Sequence, residues 1–269
     1  MKLEVSAVLQ CPACGGTLAP IGHDPAEAVN GTLLCGGCDH RWPVEDGIPD
    51  LVFPRELEEG DAASRSLWDR VGRFYGLISS LTNFMRGVSG SSERGDLIDR
   101  LGLRPKSAAL EIAAGTGENL LAMTDQIGSE GCVFGVDLSW RMIRQAKRKL
   151  SKAGRPVNLV LGNAARLPFR NGTFDAVLDG FGMKYYPNKN QAIREMLRVV
   201  KPGGKVVIKD LGLPESESLG IRQRLLRAWI PHFDEPPPLR EIPDDVRDLS
   251  VSWYAHNTAY AVEFRKPDA

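Results

Sequence analysis

Short apolar runs alternate along this chain with stretches whose apolar positions recur every three or four residues, a pattern that predicts strands and helices in turn. Residues 108–112 are apolar except for Glu111 and break at Gly115, Thr116 and Gly117, after which Leu120, Leu121 and Met123 take helical spacing. A second strand over 132–136 ends on Asp137; Ser139 then caps a helix that buries Met142, Ile143, Ala146 and Leu150. Further strands are predicted at 157–161, 174–178 and 205–210, with a helix over 188–200 between the last two. Upstream, 68–85 carries a helical stripe and 93–101 a further helix, and 55–61 reads as a charged linker. Downstream, 216–229 is amphipathic, and alternating apolar positions over 251–256 and 259–264 predict a hairpin. Strand and helix in alternation make an α/β fold with a doubly wound sheet.

The first two strand ends carry chemistry. Asp137 follows Gly117 by twenty residues, where a doubly wound sheet presents a carboxylate to a ribose. A dinucleotide fingerprint wants a third glycine where Leu120 stands, and Glu111 would repel phosphate. Glu111 can instead accept from an ammonium, while the amides around Gly115 to Glu118 face a carboxylate. An adenosine carrying a methionine suits both ends. A glycine-rich turn beside a core-flanking glutamate would explain Gly-x-Gly alone but not the second acid.

Four of the five cysteines form two Cys-x-x-Cys knuckles, Cys11 with Cys14 and Cys35 with Cys38. Four thiolates at this spacing suit tetrahedral Zn²⁺, and the glycines after each knuckle free amides to point at sulfur. Disulfides would need an oxidising compartment, and a redox pair needs one such motif before a helix. His40 is left as a surface or outer-shell residue.

The length of 269 residues allows one full α/β domain and a small appendage, and the formal net charge of zero points to neither nucleic acid nor an anionic surface. One helix is strongly basic (Arg141, Arg144, Lys147, Arg148, Lys149, Lys152); it reads as a nucleic-acid patch or as the solvated outer face of a flanking helix. No apolar stretch resembles a signal peptide or a membrane span, so a cytoplasmic location is expected.

Five motifs in order then carry a resemblance: Leu-Glu-Ile-Ala-Ala-Gly-Thr-Gly (110–117), Val-Asp-Leu-Ser-x-x-Met (136–142), Gly-Asn-Ala-x-x-Leu-Pro-Phe (162–169), Phe-Asp-Ala-Val (174–177) and Arg-Val-Val-Lys-Pro-Gly-Gly (198–204). From residue 68 to about 214 the chain resembles class I S-adenosylmethionine-dependent methyltransferases, most of all the branch that methylates ubiquinone and menaquinone precursors. The likeness implies a Rossmann-like seven-stranded sheet with a C-terminal antiparallel hairpin. It implies S-adenosylmethionine held by Tyr75, Glu111, Ala113, Gly115, Gly117, Asp137, Leu138, Met142, Asn163, Ala164 and Asp179, with Tyr75 on a lid and Asn163, where relatives mostly have Asp, accepting from the adenine amino group. Relatives usually show Tyr-Asp where this chain has Tyr75 and Gly76. The segment after the second knuckle resembles the zinc ribbon of the small activator subunit of tRNA and protein methyltransferases; a similar ribbon precedes some ribosomal RNA guanine methyltransferases, whereas the quinone branch lacks one.

These readings divide the chain into a zinc ribbon (1–54) with its own small core, a linker and lid (55–92) and a catalytic domain (93–269). Methyl transfer needs alignment in a dry cleft more than a nucleophile; Asp179, Tyr185, Tyr186, His232 and His256 are the candidate bases by location. Two nucleic-acid chemistries lose support, since the free Cys132 lies on the second strand, not near the end of the fourth, and Asp179, Gly180, Phe181 and Gly182 replace the Asn/Asp-Pro-Pro-aromatic loop. A small aromatic or quinone-like acceptor is expected, with an RNA methyltransferase guided by the ribbon as the alternative and a non-enzymatic ribbon adaptor as the third reading.

Overall fold

The computed structural model describes residues 7–21, 30–214, 220–230 and 233–268. Four short strands, β1 (Leu18–Pro20), β2 (Gly31–Cys35), β3 (Arg41–Glu45) and β4 (Ile48–Pro49), make an antiparallel ribbon sheet in sequence order. The larger sheet contains β5 (Ala108–Ile112), β6 (Cys132–Asp137), β7 (Asn158–Leu161), β8 (Phe174–Gly180), β9 (Val200–Leu211), β10 (Arg247–Tyr254) and β11 (Ala259–Arg265), in the order β10-β11-β9-β8-β5-β6-β7. Strands β7, β6, β5, β8 and β9 run parallel, and β11 and β10 close that end antiparallel. The chain leaves β5 for β6 on one side and later returns to β8 on the other, so a crevice opens at the carboxyl ends of β5 and β8.

Alternation along the strands sorts the core into two layers. Ala109, Ala176, Leu178 and Val207 face one side, against α3 (Gly90–Arg100), α4 (Glu118–Ile127) and α5 (Trp140–Lys152). Leu110, Ile112, Val177, Val206 and Ile208 face the other, against α6 (Lys189–Val199) and its buried Ala192, Ile193 and Met196. Ser139 caps α5 through its hydroxyl, which accepts from the Met142 amide at 3.2 Å, and the four predicted apolar residues of that helix are buried. Leu120 closes against β6 because Gly135 lies beneath it; a Cβ there would come 2.7 Å from Leu120 Cδ1. Helix-to-strand closeness thus comes from a glycine on the strand and not from a third glycine on the helix.

Two expectations change. The segment read as a linker turns helical at Glu59, and the predicted 68–85 helix is two: α1 (Glu59–Val71) and α2 (Tyr75–Arg86), parted by a 3₁₀ turn at Gly72–Phe74. Gly72 sits on α5, where a Cβ would meet Met142 Sδ at 2.9 Å. The last helix, α7, is described only as Ile221–Trp229, its predicted start at 216 lying outside the described residues.

The ribbon does not keep a core of its own. Leu9, Leu18, Leu33, Trp42, Val44 and Leu51 belong to one continuous buried cluster with Phe134, Phe169 and Phe174 of the larger unit. Leu9 bridges Phe169, the Leu51 amide donates to the Leu161 carbonyl at 2.8 Å, and the Gln10 amide to that of Pro168 at 3.0 Å. Near Leu161, the ribbon thus continues the sheet beyond the edge strand β7 and shields part of that edge. Much of the basic face of α5 is turned inward to the same purpose: Arg144 pairs with Glu45 at 2.5 Å and Lys147 with Asp46 at 2.6 Å, both on the ribbon, while Lys149 pairs with Glu118. Half-exposed pairs of this kind contribute only about 0–1 kcal/mol each, but they occupy three of the six charges that suggested a nucleic-acid patch.

Phe169 lies at the seam, edge-to-face with Phe174 at 5.0 Å and Phe134 at 5.6 Å. Phe169→Ala should cost about 3–5 kcal/mol. Native-state hydrogen exchange should quicken in β2 and β3 together with β7; protection lost in one unit alone would contradict the shared core.

Candidate active site and metal cluster

A cleft of about 790 Å³ opens over the carboxyl ends of the parallel strands, bounded by α1 and α2 above and by the loops after β5, β6 and β8 below. Of the residues assigned to the cofactor, Tyr75, Glu111, Ala113, Gly115, Asp137, Leu138, Met142, Asn163 and Ala164 line it. Gly117 does not; it adopts φ +82° at the head of α4, and a Cβ there would come 3.1 Å from that of Ala146. Its freedom lets α4 and α5 approach each other.

Glu111 projects from β5, buried, with Oε1 accepting from Asn119 Nδ2 at 2.6 Å and Oε2 left without a hydrogen-bond partner among the described residues. Burial raises its pKa well above the usual carboxylate range, opposed by the Asn119 bond. Gly180 makes room for this pair: a Cβ there would meet Asn119 Nδ2 at 2.9 Å. Asp137 accepts from the Gly115 amide at 2.8 Å and the Ser139 amide at 2.9 Å, which fixes both carboxylate oxygens at the strand end; burial lifts its pKa to about 6 against those two bonds. Each oxygen keeps a second lone pair for a diol. An unpaired buried carboxylate oxygen with two oriented acceptors beyond it fits the ammonium and ribose of S-adenosylmethionine.

At the adenine end, Asn163 uses both polar atoms within the protein. Its Oδ1 accepts from the Ala165 amide at 2.9 Å, and its Nδ2 donates to Asp61 Oδ2 at 2.7 Å. Asp61, on α1, was not anticipated: it lay in the stretch read as linker. It lines the cleft, and burial raises its pKa despite the Asn163 bond.

At the β8 end Asp179 and Tyr186 interact with each other, but only the tyrosine is part of the cleft lining. Tyr185 and Tyr186 line the cleft, whereas Asp179 is fully buried beneath the loop and accepts from the Gly182 amide at 2.9 Å. Its Oδ2 has no hydrogen-bond partner among the described residues, and burial lifts its pKa to about 7. Phe181 takes φ +71° and Ala113 φ +51°, left-handed conformations that side chains resist and that flank the cleft on both strands. Gly182 is needed there because a Cβ would fall 2.4 Å from the Tyr186 hydroxyl. His256 is exposed in the β10–β11 turn, away from the cleft lining, and His232 lies outside the described residues.

Three further residues complete the deeper end. Asp210, at the end of β9, accepts from the amides of Leu211 at 2.7 Å and Lys184 at 3.2 Å; burial raises its pKa to about 6, against the pull of Lys184. Lys184 Nζ stands 4.0 Å from Asp210 Oδ1, without a hydrogen bond among the described residues, and burial lowers its pKa. Lys209 reaches Glu93 at 3.6 Å. Asp210 closes a predicted strand, so its position was legible and its role was not. Trp68 closes the mouth, 5.2 Å from the Tyr185 ring and 6.0 Å from that of Tyr75.

In the ribbon, the sulfurs of Cys11, Cys14, Cys35 and Cys38 all lie within 4.8 Å of one another, with Cys14 to Cys35 at 3.4 Å and Cys11 to Cys38 at 3.7 Å. A zinc tetrahedron with Zn–S of about 2.3 Å has edges of about 3.8 Å, so the donor set fits that ion. Gly16 and Gly37 donate amides to Cys14 and Cys35, at 3.4 and 3.3 Å. His40 Nδ1 is 3.2 Å from Cys38 Sγ and its ring stacks on Trp42, an outer-shell place.

With this geometry the comparisons with known proteins agree. The sequence profile of the ubiE/COQ5 methyltransferase family matches residues 67–229. The chain belongs to that family. Residues 2–47 match a second profile, that of Trm112p-like proteins. The chain is 34% identical over 158 residues to a demethylmenaquinone methyltransferase of Bacillus mycoides, covering 58% of this chain and 65% of that one. It is equally identical over 174 residues to the Bacillus cereus protein of the same name, covering 64% and 70%. A solved structure of Haemonchus contortus phosphoethanolamine N-methyltransferase 2 in complex with S-adenosyl-L-methionine shares the fold, with a TM-score of 0.62, 16% identity and coverage of 82% of this chain and 62% of that one. Among the described residues, no helix is long and apolar enough to cross a membrane.

Asp137→Ala should weaken S-adenosylmethionine binding by about 1.5–3 kcal/mol, roughly ten- to a hundredfold, in calorimetry. Glu111→Gln should do likewise, because it replaces the unpaired acceptor with an amide of equal size; unchanged affinity in both variants would contradict this assignment.

Asp179 supplies a second test. Its folded pKa of about 7 exceeds its usual value of 3.8, so the folded state holds the proton more tightly. The stabilisation is therefore full below pH 3.8 and lost as pH rises through about 7. Asp179→Asn keeps the acceptor for Gly182 and removes the charge. Its melting temperature should exceed the parent's at pH 8, by the equivalent of about 1–3 kcal/mol, with the gap narrowing at pH 5.

Proposed function

We propose that this chain transfers a methyl group from S-adenosylmethionine to a small aromatic acceptor of the quinol type, as the names of its relatives suggest. One observation carries the reading: the cleft that holds Glu111 and Asp137 at one end is walled at its mouth by Trp68, Tyr75 and Tyr185, with a buried Lys184 and Asp210 beyond. When bound, S-adenosylmethionine supplies an electrophilic methyl group. In this reading Glu111 receives its ammonium, Asp137 its ribose, and the Asp61–Asn163 pair the adenine edge. The aromatic wall stacks the acceptor ring and keeps water from it.

Asp210 takes the proton of the acceptor hydroxyl, and the Lys184 ammonium steadies the phenolate left behind. The carbon beside that oxygen is then electron-rich enough to attack; the methyl–sulfur bond would break as the new carbon–carbon bond forms, the sulfur leaving with that pair as a neutral thioether, and loss of the proton on the methylated carbon restores the ring, so no protein nucleophile is required. Asp179 acts one layer below, holding the loop that carries Tyr185 and Tyr186. The ribbon is structural, because its four thiolates, its aromatic core and the paired charges of α5 are engaged within the chain.

The test follows a labelled methyl group into a reduced, short-chain demethylmenaquinol and into total RNA. Label is expected in the quinol. Asp210→Asn should lower kcat by about 10²–10⁴-fold while cofactor affinity holds. The ionised carboxylate is the active form, so kcat should climb as pH passes about 6 and level above it, and the variant should lose that rise. Label entering RNA, or full activity in the variant, would overturn the assignment.

A further inference from the structure

Two helices beside the cleft leave large apolar side chains in water. On α2 and the turn before it, Phe74, Leu77 and Phe84 are 48, 71 and 83% exposed, with Leu81 between them on the same stripe. On α7, Ile221, Leu225 and Trp229 recur every four residues and are 78, 57 and 56% exposed. The helices lie side by side: Met85 and Leu226 pack inward on Phe233, while Phe84 and Leu225 line one shallow groove on the outside. Soluble proteins rarely leave a contiguous apolar face of this kind without a partner. It also runs into the cleft, because Phe84 and Trp229 line the cleft as well.

The charges carried by α2 and α7 themselves have one sign. From residue 70 to 92 the chain carries Arg70, Arg73 and Arg86 and no acid, and α7 carries Arg222, Arg224 and Arg227 and no acid, although the whole chain is neutral. Arg86 is buried in its bond to Glu93, and Arg227 pairs with Asp234 at 3.0 Å. Arg70, Arg73 and Arg222 are exposed. A second copy meeting the same face about a two-fold axis would set these arginines against one another. A surface that offers apolar depth and negative charge together complements them, and an aromatic ring at the rim of a basic amphipathic helix suits the headgroup level.

We infer that α2 and α7 form a docking face for an anionic lipid bilayer, on which the protein lies with the mouth of its cleft against the membrane. The inference rests on the surface and not on the acceptor, and its test uses neither acceptor nor methyl transfer. Flotation with phosphatidylglycerol-containing and pure phosphatidylcholine vesicles reads it directly. The protein should float with the anionic vesicles and poorly with the neutral ones, and raised salt should weaken the attachment. Leu77→Glu combined with Leu225→Glu, neither of which lines the cleft, should reduce partitioning at least tenfold, with circular dichroism and cofactor affinity unchanged. Should that variant misfold, Arg73→Gln with Arg222→Gln gives a milder reading, about fivefold weaker binding per arginine. No flotation of the parent protein, flotation indifferent to both variants, or a dimer in solution that the glutamates dissolve without any vesicle binding would overturn the inference.

Discussion

Four carboxylates stand at the ends of four adjacent parallel strands: Glu111 on β5, Asp137 on β6, Asp179 on β8 and Asp210 on β9. All are buried, and burial lifts every one above its ordinary pKa. Among the described residues no arginine pairs directly with any of them; Asn119, backbone amides and the Lys184 ammonium at 4.0 Å are their support. Such a set is costly unless a cation or hydrogen-bond donors arrive. A nucleotide phosphate would aggravate it. A zwitterionic amino acid on a ribose, with a sulfonium between them, relieves it, which is why the glycine loop here serves a ligand other than a dinucleotide.

The same sheet explains why the ribbon sits where it does. β7 is the last parallel strand and would present unpaired backbone to solvent. The chain meets that edge at Leu161 with Leu51, then fills the space beneath Phe134 and Phe174 with its own apolar residues. The four thiolates fix the knuckles, and the shared core fixes the ribbon to the sheet. The zinc-fitting thiolate cluster and hydrophobic burial therefore lie at two ends of one element, and the acid residues of β3 and the turn after it anchor a third contact on α5.

The order of strands, the Ser139 cap, the two acids of the cofactor end and the cysteine set were readable because each depends on local spacing: period two, period 3.6, a glycine turn, a knuckle. What was not readable depends on tertiary contact. The stretch at 55–61 looked like a linker because its composition is charged, yet Asp61 is buried and bonded to Asn163, a partner 102 residues away. The break at Gly72 lies against Met142, so close that a Cβ would come 2.9 Å from its sulfur, a contact that no helical periodicity within 68–85 records. Asp179 and Tyr186 were read together because they share a loop, but strand alternation turns the aspartate away from the cleft while the tyrosine reaches it. The basic face of α5 was ambiguous for the same reason, since two of its acidic partners, Glu45 and Asp46, lie about a hundred residues earlier.

The two lid helices are held differently. α1 is tied down at its C-terminal end: Asp69 accepts from the Ser139 hydroxyl at 2.6 Å and from the Arg141 amide at 3.3 Å, at the electropositive start of α5. Trp68 beside it packs on Tyr185, and Gly60 lies so close to Pro187 that a Cβ would come within 2.8 Å. α2 has its firm hold only at its end, where Arg86 bonds Glu93 and Thr258, and along its length the outward side chains touch water. A helix pinned at one end, preceded by a 3₁₀ turn and leaning on α7, can yield with less loss of buried contact than α1 can. The side of the cleft lined by Phe84 and Trp229 is thus the one whose walls are least engaged with the rest of the fold.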